Sequence, residues 1–248
     1  MNHLLMIALI AGANVYIDTF DQANNAYMNN DYSKAITLYE QLVNENVAQP
    51  VVFYNLGNAY YRSGRLAPAI ANFERALQLD PTFENAQENL QTAVRQTKRQ
   101  LERPLPPDWE QSLLFWHYGL RQRTTFIVAA TLWLVFWSVL AVRKMRRIRS
   151  KRWAVMVLGM VAVAFGVSAW LKVHPVMLAV ADRDPVPVRY GTNEHDTIRF
   201  ELYVGDRVTV DKRINGWSRV TTVEGERGWA HDQDLVFVGP PYAPPPAP

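Results

Sequence analysis

The chain has no cysteine in 248 residues. Disulfides, thiol nucleophiles and thiolate metal sites are thereby excluded, and any part lying outside the cytoplasm must be stabilised by packing or by the membrane. The familiar catalytic signatures are missing as well: there is no G-x-S-x-G, H-E-x-x-H, P-loop or glycine-rich dinucleotide turn. The five histidines are scattered. His195-Asp196 and His231-Asp232 are isolated pairs on loops, short of the ligand count a metal needs. No catalytic residue, metal or cofactor is expected, and the chain reads as a non-enzyme.

Charge is absent from two long stretches, Thr124–Val142 and Trp153–Leu171. Each holds 19 residues, and at ~1.5 Å per residue a helix of that length spans about 28 Å, close to the hydrocarbon thickness of a bilayer. Neither contains the intramembrane ionisable residue that transporters and proton relays generally need. Between them lies a basic loop, 143–152, in which seven of ten residues are cationic: Arg143, Lys144, Arg146, Arg147, Arg149, Lys151 and Arg152. Two spans joined so closely form a helical hairpin. Loops rich in Lys and Arg stay in the cytoplasm, so both ends of the chain are expected on the opposite face. The net charge of +3 falls to −4 without those seven residues. The basic balance is thus a topology signal and not the footprint of a nucleic-acid partner.

Residues 1–13 carry the apolar run Leu4–Ala11 and small residues at 11–13, as in a cleaved secretory signal; an uncleaved anchor or an apolar entry to the next helix are the alternatives. The stiff Arg103-Pro104-Leu105-Pro106-Pro107 and a tryptophan-rich turn fill 102–123. There Trp109, Leu113, Trp116 and Leu120 share one helical face, suited to the headgroup layer or to packing beneath the preceding helices. In the second span Gly159, Ala162, Gly166 and Ala169 form a small-residue stripe against which Trp133 and Phe136 can pack.

Residues 16–101 contain a repeat with a constant offset of 34: Ala23 and Gly57, Asn24 and Asn58, Tyr27 and Tyr61, Ala35 and Ala69, Ile36 and Ile70, Tyr39 and Phe73. The second copy reads Phe53-x-x-Leu56-Gly57-x-x-Tyr60, Ala69-x-x-x-Phe73, Pro81. This pattern resembles the tetratricopeptide repeat, with Phe where Trp is usual. The first copy is degenerate, with Asn30 in place of the turn glycine. A third helix, from Phe83 to about Gln100, is expected to cap the stack. The resemblance implies a concave groove lined by the first helix of each repeat. Its positions here are Phe20, Asn24, Tyr27 and Met28, then Tyr54, Asn58, Tyr61 and Arg62. The carboxamides would meet a ligand backbone and Arg62 a carboxylate. The alternative is that Tyr27 and Tyr61 are half-buried helix surface.

From Asp182 to Val238 short alternating strands and glycine turns, including Asn215-Gly216, predict a small all-β barrel. Val188-Arg189-x-Gly191, Leu202-x-x-Gly205-x-x-Val208-x-Val210, Gly216-Trp217-x-x-Val220 and Gly228-Trp229-Ala230 with Leu235 resemble a bacterial SH3-like domain; Tyr190 and Thr192 depart from its pattern. Such domains commonly bind cell-wall peptides or proteins, which makes Tyr190, His195 and Trp217 candidate ligand contacts, Trp217 being equally suited to the core. Trp229 is expected in the core. A Pro-rich tail occupies 239–248.

The fold class is therefore multi-part: an all-α tetratricopeptide repeat stack, a two-helix transmembrane hairpin and a small all-β SH3-like barrel. This order resembles the BatE proteins of the Bacteroides aerotolerance operon. The resemblance implies a scaffold of the bacterial inner membrane whose terminal domains are periplasmic. Its implied partners are von Willebrand A-domain Bat proteins and a MoxR-type ATPase, in envelope or oxidative-stress physiology. A cell-wall sensor or anchor gripping peptidoglycan through the SH3-like module is the second possibility.

Overall fold

A computed structural model describes residues 16–101, 104, 108–146 and 152–239. The signal reading, Arg147, Arg149 and Lys151 of the basic loop, most of the proline linker and the tail beyond Gly239 lie outside the described residues. The chain divides into two compact units. Of the described residues, one gathers 16–77, 83–101, 104 and 176–239; the other gathers 78–82, 108–146 and 152–175.

In the first unit five helices alternate: α1 (16–28), α2 (Tyr32–Asn44), α3 (Pro50–Arg62), α4 (Leu66–Leu79) and α5 (Glu84–Arg95). The 34-residue periodicity fixes their breaks. Asn30 and Gly64 stand one period apart, and both are left-handed, at φ +60° and +79°. Asparagine tolerates that conformation better than other non-glycine residues, so the degenerate turn survives. Asp31 then caps α2 by accepting the Lys34 N–H at 3.1 Å. Tyr39, Phe53, Leu56, Ile70 and Phe73 fill the core. Gly57 is required there: a Cβ would stand 2.7 Å from the Phe73 ring.

The third helix is shorter than expected. It ends at Arg95, where the Thr97 hydroxyl bonds back to the Val94 carbonyl and Gln100 turns left-handed. Its buried residues Ala86, Leu90 and Ala93 each follow Val52, Leu56 and Ala59 of α3 by one period. It thus keeps the register of α3, and its remaining face is largely exposed.

The same unit contains seven strands: β1 (Met177–Ala181), β2 (Val186–Arg189), β3 (Ile198–Leu202), β4 (Arg207–Ile214), β5 (Trp217–Thr221), β6 (Arg227–His231) and β7 (Leu235–Val238). They form one antiparallel sheet in the order β3-β2-β6-β5-β4-β1-β7. The expected barrel is not closed, because β3 and β7 are its two edges. The module also starts earlier than residue 182. β1 pairs with both β4 and β7, yet its apolar residues follow the second span so closely that the two merge in sequence. Asn215 and Gly216, at φ +48° and +79°, make the tight hairpin. Ala181, Val186, Val188, Leu202, Val208 and Val220 lead the core.

Helices and sheet belong to one unit because β4 packs on α4. Glu74 and Arg207 form an ion pair of 2.9 Å with side chains 1% and 7% exposed, and Arg207 also donates to the Leu101 carbonyl at 2.5 Å. Arg75 donates to the Phe237 carbonyl at 2.7 Å. Lys98 lies 3.7 Å from the Tyr203 ring centroid. At Gly205, φ +88°, a Cβ would meet Thr97 at 2.3 Å. As a result α4 is buried almost all round, from Ala67 to Phe73 and at Glu74, Ala76 and Leu77.

The second unit holds α6 (Asp108–Leu113), α7 (Phe115–Gly119) and the long helices α8 (Gln122–Arg146) and α9 (Arg152–Val173). Both long helices are long and apolar enough to cross a membrane, with mean hydropathy 2.2; only 6% and 17% of their apolar windows are buried. The basic loop is shorter than 143–152: Arg143, Lys144 and Arg146 end α8, and Arg152 begins α9. Cations are favoured on the last turn of a helix, which accounts for the extension of α8. Of the small-residue stripe, Ala162 and Ala169 are buried and a Cβ on Gly159 would meet Phe136 at 3.0 Å, whereas Gly166 faces open space. Trp133 is 48% exposed and does not share that contact. The single face expected for 109–120 is broken at Leu114, between α6 and α7. Trp109, Leu113 and Phe115 are exposed, while Trp116 stacks on Phe165.

Candidate functional site

Helices α1, α3 and α5 are laced by carboxamides. Asn55 donates to Asn24 Oδ1 at 3.0 Å, and Asn89 donates to Asn58 Oδ1 at 2.7 Å. Both links span 31 residues, since Asn55 and Asn89 are themselves one period apart. Asn24 Oδ1 also accepts the Tyr39 hydroxyl at 2.6 Å. The two asparagines expected to hold a ligand thus spend their carbonyl oxygens on the scaffold, and their amide nitrogens remain as the groups able to donate outward.

The aromatic positions around this ladder differ in role. Phe20 is half-buried with its ring edge toward Tyr39. Tyr54 accepts from Asn89 at 3.2 Å and packs on Phe83. Tyr61 accepts from Gln96. Tyr27 is half-buried beside Tyr32, and Met28 is exposed. Arg62 is exposed, lies over the Tyr32 ring and donates to the Tyr32 hydroxyl at 3.1 Å. Burial raises the Tyr27 phenol pKa, with Arg62 opposing. Asn55, Asn89, Tyr32 and Gln96 were not singled out from sequence. The recurrence of Asn at 55 and 89 was the available signal for two of them.

Beneath this face two phenols hold the helices together. Burial pushes Tyr39 up to about 12. Tyr60 is raised further by burial, and then by its hydrogen bond to Glu40 and the charge of that carboxylate. A phenol whose folded pKa exceeds its unfolded value of 10.0 contributes stability that is complete below pH 10 and is lost as pH rises through the folded value. Absorbance titration at the phenolate band should therefore leave Tyr39 and Tyr60 silent at pH 11, with their ionisation coinciding with loss of helix. Tyr39→Phe with Tyr60→Phe should remove that late step.

On the sheet the candidate contacts separate. Tyr190 is 64% exposed. His195 is exposed on a loop pinned by Asp196, whose carboxylate accepts the Asn193 N–H at 3.0 Å and lies where a Cβ on Gly191 would be. Trp217 is 7% exposed, with the His231 ring 4.0 Å away; it is packed, and does not serve as an open platform. Trp229, expected in the core, is half-buried on the same face of the sheet as Trp217, since Trp217 pairs with His231 and Arg219 with Trp229. Its neighbours Gly228 and Ala230 point inward, and a Cβ on Gly228 would already meet Val188 at 2.6 Å, so the large ring has no room inside.

Comparison with known proteins bears on the helical part. No curated protein matches the chain. Among solved structures, the Sgt2 TPR domain from Aspergillus fumigatus is 31% identical over 32% of this chain and 53% of that one, with a TM-score of 0.31. The chain therefore spans about half of that structure's length. Residues 50–83, which run from α3 through α4 to Phe83, match the family model of the tetratricopeptide repeat.

Proposed function

We propose that this protein is a non-enzymatic, membrane-anchored scaffold that binds a polypeptide partner through the face of α1, α3 and α5. Tetratricopeptide repeats are protein-interaction units, and the observation that carries the reading is the carboxamide ladder: it braces three helices while leaving asparagine amides, Tyr27 and Arg62 toward one surface. The two apolar helices supply the anchor. The first unit takes residues from both before and after them, which supports placing both soluble parts on one side of the bilayer. The cationic residues between the helices support the extracytoplasmic side. The Bat-type setting, with von Willebrand A-domain and MoxR-type partners, follows from the resemblance in domain order. The wall-binding alternative loses Trp217 as a platform through its burial and keeps the exposed Tyr190 and His195.

Panning a random display library of short peptides against the full chain in neutral-lipid nanodiscs tests the groove. The wild type should enrich a shared motif, and Tyr27→Ala with Arg62→Glu should abolish the enrichment. A library that yields no motif, or the same motif with the variant, overturns the proposal.

A further inference from the structure

The outward face of β2, β3 and β6 carries three arginines that form no close ion pair among the described residues, although Asp211 feels the charge of Arg227 at longer range and Glu201 alternates with Arg199 on β3. Arg189 donates to the Asp196 carbonyl at 2.7 Å, Arg199 to the Arg227 carbonyl at 2.7 Å, and Arg227 to the Thr221 hydroxyl at 3.3 Å. None of the three has a carboxylate within ion-pair distance among the described residues. Arg219 is the contrast on the same face: Asp211 holds it at 2.7 Å. Each unpaired guanidinium is pinned by one N–H, leaving most of its five donors free in a fixed orientation.

Register places them around one ring. Arg189 lies directly across from Trp229; Arg227 lies two residues from Trp229 on β6, about 6.8 Å along the strand. Arg199 reaches to β6 through its carbonyl bond and sits over the exposed Tyr190 ring at 5.3 Å. Ile198, 46% exposed, adjoins them on β3. Tyrosine, tryptophan and arginine are the residues that dominate the energetics of protein interfaces.

We propose that this face docks a polypeptide segment rich in aspartate or glutamate. The spacing of alternate residues along a strand matches that of alternate side chains in an extended acidic segment, and the forked guanidinium suits a carboxylate. Two observations favour a polypeptide over other polyanions. The arginines are tethered to backbone and hydroxyl groups, whereas contact with a fluid headgroup layer favours freely extending side chains. Between residues 176 and 239 there are eleven Asp/Glu against eight Lys/Arg, so the positive field is confined to this patch and a nucleic acid would be repelled elsewhere. The inference does not depend on the helical groove.

Anisotropy of a fluorescein-labelled oligoglutamate, titrated with the full chain in phosphatidylcholine nanodiscs, tests it. Saturable binding is expected at ~50 mM salt and should weaken steeply by ~200 mM. Arg199→Glu with Arg227→Glu should weaken it about tenfold or more. Arg199→Gln with Arg227→Gln, a milder change on exposed side chains, should weaken it less, and Lys34→Glu on α2 should leave it unchanged. No binding, binding indifferent to the double reversal, or tighter binding of short-chain phosphatidylglycerol than of oligoglutamate would overturn the proposal, the last by assigning the face to lipid.

Discussion

Replacing Arg207 with alanine should cost about 3–5 kcal/mol and lower the melting temperature of helices and sheet together. The size follows from what is left behind. Glu74 is 1% exposed at the side chain, and taking the cation away from a buried pair leaves the desolvation of its carboxylate poorly compensated. The repeat explains why the cation comes from so far away. One period earlier, Glu40 receives the Tyr60 hydroxyl. One period after Tyr60 stands Val94, which has nothing to donate. The sheet supplies the missing partner through Arg207, 133 residues along the chain. Glu74→Leu with Arg207→Met should recover most of the loss, because an apolar pair of similar volume avoids the desolvation of both ions. Thermal unfolding of the full chain in detergent, followed by protease cleavage in each part, measures both effects. If the helical repeats melted unchanged while the sheet was lost in Arg207→Ala, the two would not form one cooperative unit.

The second large effect is all-or-none. In this cysteine-free chain, Ser63→Cys and Val223→Cys should react together with an impermeant thiol reagent added to intact cells, and Ser150→Cys should not. Ser63 and Val223 are both exposed, and Val223 avoids the strained φ +79° of Gly216, where a side chain would disturb the hairpin. Two separate statements are at stake. Labelling of Ser63→Cys without Val223→Cys would break the shared unit of helices and sheet. Labelling of Ser150→Cys alone would leave that unit intact and reverse its direction across the membrane. In the second case the charge bias of Arg143–Arg152 would have misled.

Much of this architecture can be read before any coordinates are seen, because it rests on periodic or compositional signals. The offset of 34 identifies the helical pairs, and it identifies Asn30 as the equivalent of Gly64. Freedom from charge identifies α8 and α9. The parts that escape a linear reading are those decided by contacts distant in sequence. β1 is hidden because a strand buried on both sides and the end of an apolar helix look alike in composition. Trp229 stays out of the core because Gly228 and Ala230 take the inward positions of β6, while Trp217 is buried beside His231 on that same outward face. Glu74 offered a partial clue: a carboxylate in an otherwise apolar helix face demands a partner, although nothing local says that it is Arg207. Of the candidate groove, the placing of Asn24 and Asn58 at equivalent positions is legible, whereas their use as acceptors within the scaffold is not.

The sheet packs on α4 through β4, at a position that a helix following α5 would otherwise take. Growth of the array is thereby polarised. A duplicated repeat inserted ahead of α3 would preserve every contact from Glu74 to Arg207, whereas one inserted after α4 would compete with β4 for the same helix. Lengthening the binding surface, in the laboratory or in evolution, has to proceed from the amino-terminal end.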